Sequence, residues 1–206
     1  MVRARSEAAA SGLIRRIEID LSQHPIVRWR WRVDNLVERS DPTRKSGDDY
    51  AARLYIAFRY EPGHVGLLRR AVYLAARAVF GDLPFAAITY IWATDTPVGS
   101  IVDNAYAGSS VRMIAVESGP KRVGNWIEEQ RNVYEDYRRA FRAEPPHVEG
   151  VAIMTDTDDT GERVSAAYGD IVFLTPEAAA RNVADDAPFC AAGHGPEAGP
   201  HGEDAA

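Results

Sequence analysis

The sequence predicts a mainly β protein, an antiparallel β-sandwich with an inserted amphipathic helix and a short second helix. Three observations carry that prediction. Residues 26–33 alternate strictly: Val27, Trp29, Trp31 and Val33 fall on one face and Arg28, Arg30 and Arg32 on the other, the period of a half-buried strand. Residues 148–154 and the run ending at Phe173 are apolar and strand-like, and Asp156-Thr157-Asp158-Asp159-Thr160-Gly161 between them has turn chemistry, so a core hairpin is expected there. Further short apolar runs at 53–60, 85–93 and 111–116 are each bounded by Gly, Pro, Asp or Ser, the punctuation of an all-β chain.

The elements follow in order. Short strands are expected at 2–6 and 13–19, split by the small residues 8–12. After the tryptophan strand, 36–48 is a polar loop with turn signals at Asp41-Pro42 and Ser46-Gly47. In the strand 53–60, Leu54, Ile56 and Phe58 share a face, and Glu61-Pro62-Gly63 ends it. Val65, Leu68, Val72, Ala75, Ala76 and Val79 then recur at helical spacing, with Arg69, Arg70 and Arg77 off the stripe. A strand at 85–93 leads to a long loop, 94–110, of the length that often carries function. A strand at 111–116 and another at 126–131 follow. Val133, Tyr137 and Phe141 then mark a short helix with Asn132 as its N-cap. Pro145-Pro146 ends it before the expected hairpin. Residues 1–174 read as one domain, 175–184 as a short Ala-rich extension and 185–206 as a disordered tail of Gly, Pro, His and acid. The expected core is Val27, Trp29, Trp31, Leu54, Ile56, Phe58, Trp92, Val151, Ile153, Ile171 and Phe173.

Composition narrows the function. The 206 residues are 46% hydrophobic and 26% charged, ordinary for a globular chain that can bury a sizeable core. A formal net charge of -6 argues against nucleic-acid binding. The one cysteine, Cys190, allows no intrachain disulfide. No apolar run reaches the length of a transmembrane span, and Arg3 and Arg5 precede small residues with no apolar leader core.

The residues that could carry chemistry are mostly carboxylates in loops. Asp156, Asp158 and Thr160 offer oxygens at alternate positions before Gly161, a spacing that can curl around a hard cation such as calcium. The same residues also suit a polar turn in which Asp side chains cap backbone amides. Asp48, Asp49 and Arg53 gather at a loop-to-strand entry, Asp95 and Asn104 lie in the long loop, and Arg131 and Asp136 flank the short helix. Together these form the candidate ligand-binding set. The sequence contains no Gly-x-Ser-x-Gly elbow, dinucleotide fingerprint, Walker loop or His-Glu-x-x-His.

Several stretches together resemble a bacterial family, domain-of-unknown-function family 3047. They are Trp29-Arg30-Trp31-Arg32-Val33, Gly47-Asp48-Asp49-Tyr50-Ala51-Ala52-Arg53, Tyr90-Ile91-Trp92-Ala93, Arg131-Asn132-Val133-Tyr134-Glu135-Asp136-Tyr137, the run from Gly150 to Gly161, and Ala167-Tyr168-Gly169-Asp170-Ile171. The resemblance implies no activity. It implies a periplasmic or secreted protein, whereas this chain shows no signal peptide, and Met1 falls so close to the first strand that an N-terminal strand is expected to be missing. A looser resemblance, to galactose-binding-like jelly rolls, implies sugar binding by analogy of fold. The expectation is a non-catalytic module binding carbohydrate or another polar envelope ligand. It requires no cofactor and is compatible with calcium. A carboxylate-dependent hydrolase or lyase is the alternative, and a structural or assembly role the third.

Overall fold

The computed structural model describes residues 1–59 and 86–185. The strands are β1 (Val2–Glu7), β2 (Ala10–Ile19), β3 (Ile26–Val33), β4 (Arg53–Phe58), β5 (Ala86–Ala93), β6 (Ile101–Asn104), β7 (Gly108–Ser118), β8 (Ile127–Asn132), β9 (Val148–Asp156) and β10 (Arg163–Leu174). The helices are α1 (Val133–Phe141) and α2 (Pro176–Asp185). The helix expected at 65–80 and the tail expected beyond 185 lie outside the described residues.

Among the described residues two sheets form, one of four strands in the order β1-β10-β3-β8 and one of six in the order β2-β9-β4-β5-β7-β6. Their inner faces make a β-sandwich, as the alternation in β3 requires. Trp29 and Trp31 of β3 are fully buried and reach across to the larger sheet. Trp29 stacks on Tyr90 at 5.2 Å between ring centroids, and Trp31 lies 6.0 Å from Trp92. Leu54, Ile56, Phe58, Val151 and Ile153 join the same core. Ile171 and Phe173, expected inside, are half-buried. A bulge between Gly169 and Val172, with Asp170 at φ 52°, turns that end of β10 away from full burial.

Three expectations are corrected. First, β9 and β10 do not form a hairpin. Strand β9 pairs with β2 and β4, whereas β10 pairs with β1 and β3, so the acidic connection carries the chain from one sheet to the other. The short link between β1 and β2 crosses beside it, where Thr157 donates its amide to Ala9 and Ala8 to Glu162. Both arrangements bury the same alternate residues, and alternation therefore could not separate them. Second, the sheets are not wholly antiparallel, because β5 and β7 pair in parallel. Third, residues 94–110 are not all loop: β6 forms within them and pairs with β7.

The six-stranded sheet is also covered outside. All eight residues of β5 are buried. On its outer face Ile91 and Ala93 pack with Tyr50, Met113 and Ala115. Tyr50 thus lays the loop before β4 against the outer face of β5 and β7, and Asn104, at the end of β6, donates to Asp48 of that loop. Helix α1 begins as expected, with Asn132 accepting a hydrogen bond from the Glu135 amide at 3.1 Å. No helix among the described residues is long and apolar enough to cross a membrane.

Candidate functional site

The site lies on the outer face of the six-stranded sheet, where β4 begins and β9 ends. Alternation places Leu54 and Ile56 in the core, so Arg53 and Tyr55 point outward, beside Met154 and Asp156 of β9. A cavity of about 220 Å³ opens there, lined by Asp48, Arg53, Tyr55, Asn104, Tyr106, Met154, Asp156, Asp158, Asp159 and Ala10.

Arg53 organises the floor. It is almost fully buried, which for a charged group requires paired anions and satisfied donors. Its Nε donates to Asp156 Oδ1 at 3.0 Å, and Nη2 donates to Asp156 Oδ2 and to the Asp48 carbonyl. Its Nη1 donates to Asp48 Oδ1 and to the Tyr55 hydroxyl, both at 3.3 Å. The guanidinium lies 4.4 Å from the centre of the Tyr50 ring. All three nitrogens are committed, so Arg53 shapes the site and has little left to offer a ligand.

The carboxylates are equally constrained. Asp156 Oδ1 also accepts the Tyr50 amide at 3.0 Å, and Asp48 Oδ2 accepts Asn104 Nδ2 at 2.6 Å. Burial pushes the Asp156 carboxyl up to about 6, against the opposing pull of Arg53. Burial also raises Asp48, opposed by Arg53 and Asn104. Asn104 Oδ1 accepts the Tyr106 and Ala107 amides at 3.1 and 2.8 Å, which sets the β6–β7 turn so that Tyr106 stands over the cavity. The Tyr106 hydroxyl donates to Asp159 and is pushed up to about 12 by that bond and by burial.

Beside the cavity, Asp49 is fully buried and its Oδ2 accepts the Thr160 amide at 2.6 Å. Its other oxygen, and the buried Thr160 hydroxyl, find no hydrogen-bond partner among the described residues. Oxygens of Asp49, Asp158 and Asp159 lie within 4.8 Å of one another. Gly47 holds the loop that presents Asp48 and Asp49: a Cβ there would sit 2.8 Å from the Asp41 backbone nitrogen. From inside the sandwich, the Tyr168 hydroxyl donates to the Met154 carbonyl at 2.6 Å and accepts the Arg53 amide at 3.3 Å, tying β4 and β9 together beneath the site.

The structure thus brings together Asp48, Asp49, Arg53, Asn104, Asp156, Asp158 and Thr160. Asp95 is exposed and outside the cavity lining. Arg131 and Asp136 form a separate cluster on the core side, where Asp136 accepts Arg131 Nε at 2.9 Å and the Tyr90 hydroxyl at 2.9 Å. Tyr55, Tyr106 and Asp159 were not singled out from sequence. Asp159 sits inside the acidic run, but nothing local signals that either tyrosine meets it. A carboxyl pair was also missed. Glu129, on the inward face of β8 with Ile127 and Arg131, is pushed up to about 8 by burial and by the neighbouring Glu117. Its place on the inward side of an alternating strand was the available signal.

Residues 1–172 match the model of a family described as protein of unknown function (DUF3047). A search of curated proteins found no match.

Proposed function

This chain belongs to the DUF3047 family, whose description assigns no function, and from the site itself we propose a non-catalytic module that binds a small polyhydroxylated ligand such as a sugar ring. The observation that carries the reading is the lining of the outer-face cavity. Asp48, Asp156, Asp158 and Asp159 outnumber Arg53 there, and Arg53 is already engaged on all three nitrogens. Such a lining offers acceptors and repels anions, so phosphate and carboxylate ligands are disfavoured. A neutral ligand rich in hydroxyl donors fits it. The cavity, about 220 Å³, falls below the roughly 300–1,000 Å³ of drug-sized sites, which suits a single ring. Tyr106 and Tyr55 add aromatic surface beside polar groups, a combination that suits sugar faces.

The raised carboxyls of Asp48 and Asp156 favour a second reading, a carboxylate-dependent hydrolase or lyase. Against it, both oxygens of each accept bonds from Arg53, Asn104 or the Tyr50 amide, leaving neither poised as a general acid. Calorimetric titration with a panel of neutral hexoses, pentoses and polyols tests the first reading. Saturable binding is expected, weakened at least tenfold by Tyr106→Ala. Binding unaffected by that change, or none across the panel, would overturn it. Turnover of a glycoside that Asp48→Asn abolishes would establish the second reading instead.

A further inference from the structure

We propose that Asp49, Asp158, Asp159 and the Thr160 hydroxyl form a binding site for one divalent cation of the calcium class, at the edge of the outer-face cavity, whose lining includes Asp158 and Asp159. The three carboxylate oxygens lie within 4.8 Å of one another. Two ligands on opposite sides of one calcium ion, each at about 2.4 Å, stand about 4.8 Å apart. The set is all oxygen, with no His or Cys, which selects a hard cation over zinc or copper.

Acid clusters on surfaces are common. Here two buried oxygens set the cluster apart. Asp49 is fully buried, its Oδ2 is bound by the Thr160 amide, and its Oδ1 has no partner among the described residues. The Thr160 hydroxyl, on the residue held against Asp49 by that amide, is also buried and has no partner among the described residues. A buried anionic oxygen without a donor costs more than almost any other polar defect. Two further carboxylates beside it increase that cost unless a positive charge joins them.

Among the described residues, the nearby cations are otherwise engaged. Arg53 is held by Asp156 and Asp48. Arg39 donates to the Thr160 carbonyl and pairs with Glu162. The Lys45 ammonium sits over the Tyr106 ring, 5.0 Å from its centre. Asp158 is exposed and Asp159 half-buried, so the site opens to solvent, and water can complete the six to eight oxygens that calcium takes. The set shares Asp158 and Thr160 with the alternating pattern read from sequence. Asp49 and Asp159 join them, while the oxygens of Asp156 serve Arg53 and the Tyr50 amide.

The test uses the full chain, freed of metal with chelator. Calcium at a hundredfold excess over its dissociation constant should raise the melting temperature by roughly 5–10 °C. Terbium should bind at one site with luminescence excited through Tyr106, whose hydroxyl touches Asp159, and calcium should displace it. Asp158→Asn, an exposed change, should melt at or above the wild-type temperature in chelator and lose both responses. Asp103→Asn, in a surface pair with Arg112, should keep them. No wild-type response would overturn the proposal, as would responses retained in Asp158→Asn or an equal response to magnesium.

Discussion

Replacing Arg53 by Met should remove about 3–5 kcal/mol of stability, the cost of breaking a buried ion pair from one side. The structure shows why the loss belongs in that range. The guanidinium neutralises both Asp156 and Asp48 and donates from all three nitrogens, with almost no exposure to water. Methionine fills part of the volume but leaves two buried carboxylates without their counter-ion. Both should then take up protons more readily than they do now, since burial already raises them and only Arg53 and neighbouring donors hold them down. The sign of the pH dependence follows. A carboxyl whose folded pKa lies above its unfolded value binds more protons in the folded state, so stability falls as pH rises from the unfolded pKa through the folded one. The deficit of Arg53→Met should therefore be largest near pH 8 and shrink toward pH 5. Urea unfolding of wild type and variant at both pH values measures it. A double change, Arg53→Met with Asp156→Leu, should recover part of the loss, because it removes one of the stranded charges. A deficit below about 1 kcal/mol, or one equal at the two pH values, would refute the claim that Arg53 is the electrostatic keystone of the loop.

Two further outcomes follow from the same structure. Glu129, raised to about 8 by burial and Glu117, should make the protein lose stability as pH climbs from about 4.5 through 8. Glu129→Gln should melt higher than wild type at pH 9 and flatten that dependence in a pH series of thermal melts. Trp31→Ala should cost about 3–5 kcal/mol in denaturant titration, because its ring is fully buried between Trp29 and Trp92.

Local chemistry made much of this protein legible from sequence. The alternation of Val27, Trp29, Trp31 and Val33 determined which face of β3 enters the core, and all four are fully buried. Asn132 was readable as a helix cap because its side chain satisfies an amide only three residues away. Asp48, Asp49 and Arg53 were readable as a group through their nearness in the chain. A period of two, however, records which way a side chain faces and says nothing of which strand lies beside it. Thus β9 and β10 read as a hairpin when they cross between sheets, and the parallel pairing of β5 with β7 left no local mark. The convergence of Asp49 with Asp158 and Thr160 depended on the same unreadable step. Their meeting across more than a hundred residues follows from β4 pairing with β9, and Tyr106 reaches Asp159 from the β6–β7 turn, which the parallel pairing of β7 with β5 places in the same sheet. The sequence by itself determined faces, caps and turns, because these are short-range consequences of sterics and hydrogen bonding. Only the tertiary structure decided neighbours, and with them the cavity, since strand pairing is settled by the free energy of the assembled sandwich rather than of any one segment.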